Sequence, residues 1–236
     1  MSNSDSVFQV GDLETTKYPF QKVKPKRGME IAVLLGLLKE FGVGCFVAGG
    51  FARWMVSNEE HPPAPDDIDI YFDGSNSFAL AEKWFRNKGF ELKLESKNAI
   101  TFAPPAIAAW QDCLHIQLIK PSYDRCGEIS HVLLKFDLSV CQAAVEIKDG
   151  QAVGYCSYYF LDDNDKKTVR ILHISNPLLT MQRCCKYACK GYRIPPREMM
   201  KILANWEERS EEVRDKFKKL VSSGDYKEVY DLLDLM

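Results

Sequence analysis

Apolar positions recur along this chain with two periods, and the switches between them mark out its elements. In "MEIAVLLGLLKEFG" the residues Ile31, Leu34, Leu35, Leu38 and Phe41 fall on one helical face, and Gly42 and Gly44 close the run. "CFVAGG" reads as a short buried strand ending at Gly49, "FARWMVSN" as a helix of two turns, "EEHPPAPD" as a proline-rich loop and "DIDIYF" as an alternating strand. "SNSFALAEKWFRNKGF" predicts a helix with Phe78, Ala81, Trp84 and Phe85 on its core face, a Ser or Asn cap and a stop at Gly89. "ELKLES" and "AITFAP" predict a hairpin, "LHIQLI" a strand, and "SYDRCGEISHVLLK" a connection with a short helix at its centre. "KFDLSVCQAAVEI" reads as strand at both ends, and "QAVGYCSYYF" with "KTVRILHI" as a hairpin around "DDNDKK". Beyond Asn176-Pro177 the period becomes helical throughout, in "PLLTMQRCCKYACKGY", "PPREMMKILANWEERSEEVRDKFKKLVSSG" and "DYKEVYDLLDLM". These segments predict an α+β body to residue 174 and a helical region over 175–236, preceded by a polar arm over 1–28.

Composition narrows the classes. Of 236 residues, 46% are hydrophobic and 27% charged, the balance of an ordinary soluble globular protein. A net charge of −2 gives no global basic field for nucleic acid, so any such contact is local. The N-terminal "MSNSDSVFQVGDLETTKYPF" has no apolar core of a signal peptide, and no run approaches 18 apolar residues, so the expectation is a cytoplasmic protein with no membrane partner. Eight cysteines without a secretion signal read as reduced, mostly buried thiols. "CCKYAC" lacks the CxxC pairing of a zinc site. His61, His115, His131 and His173 are scattered without ligand spacing.

The chemistry concentrates between Phe46 and Phe72. The period of two in Asp67-Ile68-Asp69 puts both carboxylates on one face of a strand and Ile68 and Ile70 on the other. Two adjacent carboxylates raise a pKa or demand a cation, and hard oxygen ligands suit Mg²⁺ shared with substrate phosphates. Asp66 falls on the other face or in the loop. Gly49 and Gly50 stand between a strand and a helix start, where bare backbone N–H groups can meet phosphate. Two divalent ions need a third acid on a neighbouring strand, and Asp137 is the one charge in the apolar run from Phe136 to Val145. The competing readings stay open: solvated aspartates beside a turn, a plain tight turn at the glycines, and an edge-strand or capping role for Asp137.

The order strand, GG, helix, loop, DxD, later Asp resembles the DNA polymerase beta-like nucleotidyltransferase superfamily over about residues 29–145. "GGFARWMV…PDDIDIYF" is closest to CCA-adding and poly(A)-polymerase-like enzymes, and is similar to small phage, viral and abortive-infection nucleotidyltransferases. The resemblance implies a nucleotidyltransferase fold with a mixed β-sheet flanked by helices, and a catalytic domain over 29–174. It maps Gly49 and Gly50 onto the glycine pair, Asp67 and Asp69 onto the two-metal aspartates, Asp137 onto the third acid and Arg53 onto the helix arginine. It implies two Mg²⁺ ions (Mn²⁺ also serving) at Asp67, Asp69 and Asp137, and transfer of a nucleoside monophosphate from an NTP to a hydroxyl of an RNA or tRNA end, a protein or a small molecule. Phe51 stands where many members carry Ser, and no nucleotide-selecting tail motif is visible.

Arg183, Lys186 and Lys190 form a basic stripe on the predicted tail helix, with Tyr187 beside it. Lys186 is the expected phosphate ligand, and Tyr187 and Lys190 are nucleotide-binding candidates; a solvated helix face is the plainer account. Arg53 is expected to pair with the acidic strand, or else to meet the nucleotide. Trp84, Phe85, Trp206 and Phe217 read as packing residues, and "KVKPKRG" (Lys22, Lys24, Lys26, Arg27) as a basic arm. Two rivals remain: a non-catalytic relative that binds nucleotide or a partner protein, and a partner-binding protein working through its helical tail.

Overall fold

The apolar strands legible in the sequence find partners from distant parts of the chain and join in one mixed sheet. The structure, a computed structural model, describes residues 20–63, 65–105, 115–122 and 125–223. In chain order the strands are β1 (Phe20–Val23), β2 (Cys45–Ala48), β3 (Asp67–Phe72), β4 (Glu91–Glu95), β5 (Ala99–Ala103), β6 (His115–Ile119), β7 (Ala143–Lys148) and β8 (Gln151–Ser157). They lie in the order β1-β8-β7-β2-β3-β6-β5-β4, and β3 and β6 are its parallel neighbours. The helices are α1 (Met29–Glu40), α2 (Gly50–Val56), α3 (Ser75–Asn87), α4 (Ile129–Leu134), α5 (Tyr158–Asp165), α6 (Pro177–Cys189), α7 (Pro196–Glu207) and α8 (Glu211–Ser223). No described helix is long and apolar enough to cross a membrane.

Each strand residue's partner follows from the alternation. Ile68, Ile70 and Phe72 enter a core built with Leu34, Leu35 and Leu38 of α1, Met55 of α2, and Ala81, Trp84 and Phe85 of α3. Burying a side chain such as Phe85 contributes about 2 kcal/mol. The opposite sheet face, with Phe46, Ala48 and Ala144, packs on Val132 and Leu133 of α4, with Tyr71 and Phe136 alongside. A third core joins Leu138, Val140, Val169 and Ile171 of the body to Cys184, Tyr187, Tyr192 and Ile202 of the helical region. Trp206 and Phe217 pack edge to face, their ring centres 5.3 Å apart.

Several local expectations are corrected. The hairpin expected over 151–174 is absent: "YYFLDDND" forms α5, capped by the Ser157 hydroxyl, which accepts from the Phe160 N–H at 3.0 Å. Its polar residues are buried partners, Asp163 to Arg170 at 3.2 Å and Asn164 to the Ser57 hydroxyl at 3.3 Å, so the polar run was no turn. The first half of "KFDLSVCQAAVEI" is a turn and a 3-10 helix (Ser139–Cys141) rather than a strand. It is apolar because it sits between two cores, a pattern that periodicity alone does not separate from a strand. Part of the expected arm, Phe20–Val23, is the edge strand on β8. Gly74, not Ser or Asn, stands at the N-cap of α3. Arg27 donates to the Trp54 and Ser57 carbonyls at the end of α2, and Lys26 to Asn58, so these two arm cations are engaged locally. The helix expected over "DYKEVYDLLDLM" lies outside the described residues.

All described cysteines are free thiols; Cys156 and Cys184 are buried, whereas Cys185 and Cys189 are exposed. Burial pushes the Cys156 and Cys184 thiols up to about 12.

Gly154 shows how closely β1, β8 and α2 approach. A Cβ there would come within 2.8 Å of Val23 Cγ2 and Val56 Cγ1, and 2.9 Å of the Val23 carbonyl oxygen. Gly154→Ala is therefore expected to lower stability by about 1–3 kcal/mol, read as a fall in the urea midpoint at unchanged slope.

Candidate active site

The end of β3 sets the site. Asp69 lies opposite Ala48 of β2 and Gln117 of β6, and Asp67 opposite His115, so both carboxylates share the sheet face away from the α1–α3 core. Gln117 donates to Asp67 Oδ2 at 3.1 Å, which fixes that carboxylate's direction. One residue beyond Ala48, Gly49 adopts φ +75°, a conformation that favours glycine. A Cβ at Gly49 would stand 3.8 Å from Asp69 Oδ2 and 3.7 Å from Phe136 Cε2, ordinary contacts, so the positive φ rather than crowding calls for glycine there. The Gly49 N–H is committed to the Ala143 carbonyl at 3.0 Å, which removes it from the phosphate-holding role expected for it. Gly50 opens α2.

Helix α6 lies across this acidic strand. Asn176 caps its start, accepting from the Leu178 and Leu179 N–H groups at 3.1 and 3.2 Å. Thr180 Oγ1 and Arg183 then both donate to Asp137 Oδ2, at 2.9 and 2.8 Å. One turn on, the Lys186 ammonium meets Asp66 Oδ2 at 2.6 Å, with Lys190 on the same oxygen at 3.2 Å. The basic stripe is therefore paired with acids, while Arg183 and Lys186 stay about half exposed. Asp66, set aside in the sequence reading, is its anchor.

The charges act on one another. Burial, and next the charge of Asp67, push the Asp69 carboxyl up to about 7, while Lys186 and Arg183 draw it back. Burial works against the Lys186 charge, but Asp66, Asp67 and Asp69 outweigh it and hold the ammonium above its ordinary range. The Lys186 hydrogen bond chiefly holds the Asp66 carboxyl below the usual range.

The three-carboxylate centre expected from the sequence is not assembled. Asp137 is 5% exposed and spent on α6, in a turn rather than on a neighbouring strand. Among the described residues no group of three or more His, Cys, Asp or Glu is placed to hold a metal ion. Asp67 and Asp69 remain as an oxygen pair beside the Gly49 turn, a donor set that fits one Mg²⁺ or Mn²⁺ shared with phosphate oxygens. The second ion does not fit the residues as they stand.

Arg53 and Tyr187 are also relocated. Arg53 is 0% exposed; it donates to the Pro63 carbonyl at 2.8 Å and to Tyr192 Oη at 3.4 Å, between the rings of Tyr187 and Tyr192. It neither pairs with the acidic strand nor reaches a surface where a nucleotide could lie, because the tyrosines of the helical region close over it. Tyr187 is buried in the third core, its hydroxyl accepting from Cys141 Sγ at 3.2 Å. Thr180 and Gln117 were missed; the i, i+3 spacing of Thr180 and Arg183 was the available signal for the former.

The mixed sheet flanked by helices matches the nucleotidyltransferase fold of solved CCA-adding enzymes. The Thermotoga maritima CCA-adding enzyme complexed with tRNA superposes with a TM-score of 0.55 at 18% identity, over 79% of this chain and 46% of that one. A tRNA-processing enzyme in its apo form gives 0.52 at 20%, over 78% and 48%, and a CCA-adding enzyme with CTP gives 0.52 at 17%, over 86% and 51%. The chain thus spans about half the length of these enzymes. Within this fold the chain belongs to the Gabija anti-defense 2 (Gad2) family, whose profile matches residues 20–167. Among curated proteins no sequence matches it.

Arg53→Ala empties the cage between Tyr187 and Tyr192 and is expected to cost about 2–4 kcal/mol, the range for large-to-small core changes. Urea unfolding followed by tryptophan fluorescence checks this.

Proposed function

We propose that the protein is a nucleotidyltransferase that binds a nucleoside triphosphate where β2 and β3 meet α6, and passes its nucleoside monophosphate to a hydroxyl. The observation that carries this reading is the pair Asp67 and Asp69 beside the Gly49 turn, faced by Lys186 from α6. Asp67 and Asp69 would hold one Mg²⁺ or Mn²⁺ ion, which when bound offsets the charge of the triphosphate and of the departing pyrophosphate. Gln117 keeps Asp67 aimed. Lys186 and Lys190 exchange the exposed Asp66 carboxylate for phosphate oxygens, which bind an ammonium more strongly through their higher charge. The acceptor oxygen bonds to the α-phosphorus as its proton passes to water, and the bond to the β-phosphate breaks to release pyrophosphate. Residues 29–174 form the catalytic unit in this reading, and the helical region that follows, described to Ser223, closes over it.

The acceptor is an RNA or tRNA end, a protein side chain or a small molecule. The likeness to CCA-adding enzymes solved with tRNA and with CTP supports the first. The family's name points to a role against the Gabija defence, and in this reading the protein works in the cytoplasm. A second reading, nucleotide binding without transfer, is favoured by one observation: Asp137, the acid expected to accept the acceptor's proton, is bound to Arg183.

The two are separated in sequence. With each NTP in Mg²⁺ the melting temperature should rise, by about 2.7 kcal/mol of stabilisation at a hundredfold excess over Kd, and Asp67→Ala should abolish the rise. No rise with any NTP overturns both readings. Incubation with α-³²P-labelled NTPs and total RNA or protein should then label an acceptor; binding without label leaves the second reading.

A further inference from the structure

We infer that Arg183 stands in the place of the second divalent cation, so that the site takes a single metal ion with each nucleotide. The inference rests on the nucleotide reading above and concerns how its charge is balanced. Three observations meet here. Both α6 donors, Thr180 Oγ1 at 2.9 Å and Arg183 at 2.8 Å, converge on the same oxygen, Asp137 Oδ2. A carboxylate oxygen offers about two lone-pair directions, so this one is fully engaged. The residue is almost closed to solvent, which makes the loss of its counter-charge costly.

The helix itself is not free to withdraw. Cys184 and Tyr187, next to Arg183 and one turn beyond it, are buried with Leu138 and Val140, the residues that flank the Asp137 turn. Thr180 is buried as well. Moving α6 away would open that core; only the guanidinium end of Arg183, whose side chain is 50% exposed, has room to swing. If it swings, Asp137 keeps a neutral hydroxyl donor and loses its cation.

The charge count points the same way. Arg183 is paired directly with Asp137 and Lys186 with Asp66, so each cation is held by one acid of the site. With Lys190, which also meets Asp66, they offset three of the four carboxylate charges of Asp66, Asp67, Asp69 and Asp137. One divalent ion at Asp67 and Asp69 then makes the site net positive, as a triphosphate requires. A guanidinium is always charged and binds carboxylate with fixed geometry, so it serves where a lysine would be displaced more readily.

Electron paramagnetic resonance of the full chain with Mn²⁺ and the α,β-methylene analogues of the four nucleoside triphosphates tests this. The wild-type complex should bind one Mn²⁺ per chain and give the spectrum of an isolated ion. In Arg183→Ala a second Mn²⁺ should enter, and ions about 4 Å apart give a spin-coupled spectrum. Arg183→Gln should behave as Arg183→Ala, with circular dichroism showing each variant folded. A coupled pair in the wild type overturns the inference, since Arg183 then yields to metal, and leaves the nucleotide reading standing. A single ion in both folded variants overturns it as well. Absence of nucleotide-dependent Mn²⁺ binding in every form overturns the nucleotide reading and the inference with it.

Discussion

Two carboxylates on one face of a strand, at its end inside a sheet, repel, and the surrounding structure is arranged around that repulsion. Same-face neighbours in a strand lie about 7 Å apart, and unit charges at that distance in a medium of effective dielectric about 20 repel by roughly 2 kcal/mol. Against a net stability of about 5–15 kcal/mol for a whole domain, that is a large local cost. Within the sheet, Gln117 of β6 relieves Asp67 alone, through one hydrogen bond. Relief comes from α6, whose Arg183 and Lys186 both lower the burden on Asp69 while binding Asp137 and Asp66 directly.

Helix α6 therefore serves two physical ends at once. One of its faces is apolar and packs Cys184 and Tyr187 into a core shared with the body. Its polar side carries the donors that meet the acids. Arg53 couples the two, a guanidinium sealed between Tyr187 of α6 and Tyr192 just beyond it. Its backbone carbonyl accepts from Ser57, whose hydroxyl continues the chain of contacts to Asn164. Cation–aromatic contacts of this kind are worth about 2 kcal/mol when desolvated, enough to hold one helix to another.

The corrections share a cause. The run 136–142 reads as strand because it is apolar, and the run 162–167 reads as turn because it is polar. In the structure the apolar run is a buried turn that carries Asp137, and the polar run closes a helix whose Asp163 and Asn164 are buried against partners far away in the chain. Arg53 reads as surface chemistry in any local window; only the arrival of residues 187 and 192 makes it a core residue.

What the sequence by itself determined was the set of elements with strong periodicity: α1, β2, α2, β3, α3 and the helical region after Pro177, together with the shared face of Asp67 and Asp69. Side-chain direction in a strand or helix depends on spacing alone, so that much needs no knowledge of neighbours. Tertiary structure alone decided which cation meets which acid. Thr180 and Arg183 reach Asp137 across more than forty positions, and Lys186 reaches Asp66 across more than a hundred. Charge pairing acts through space over a few ångströms, and no local pattern encodes which distant segments the packing of the cores brings that close.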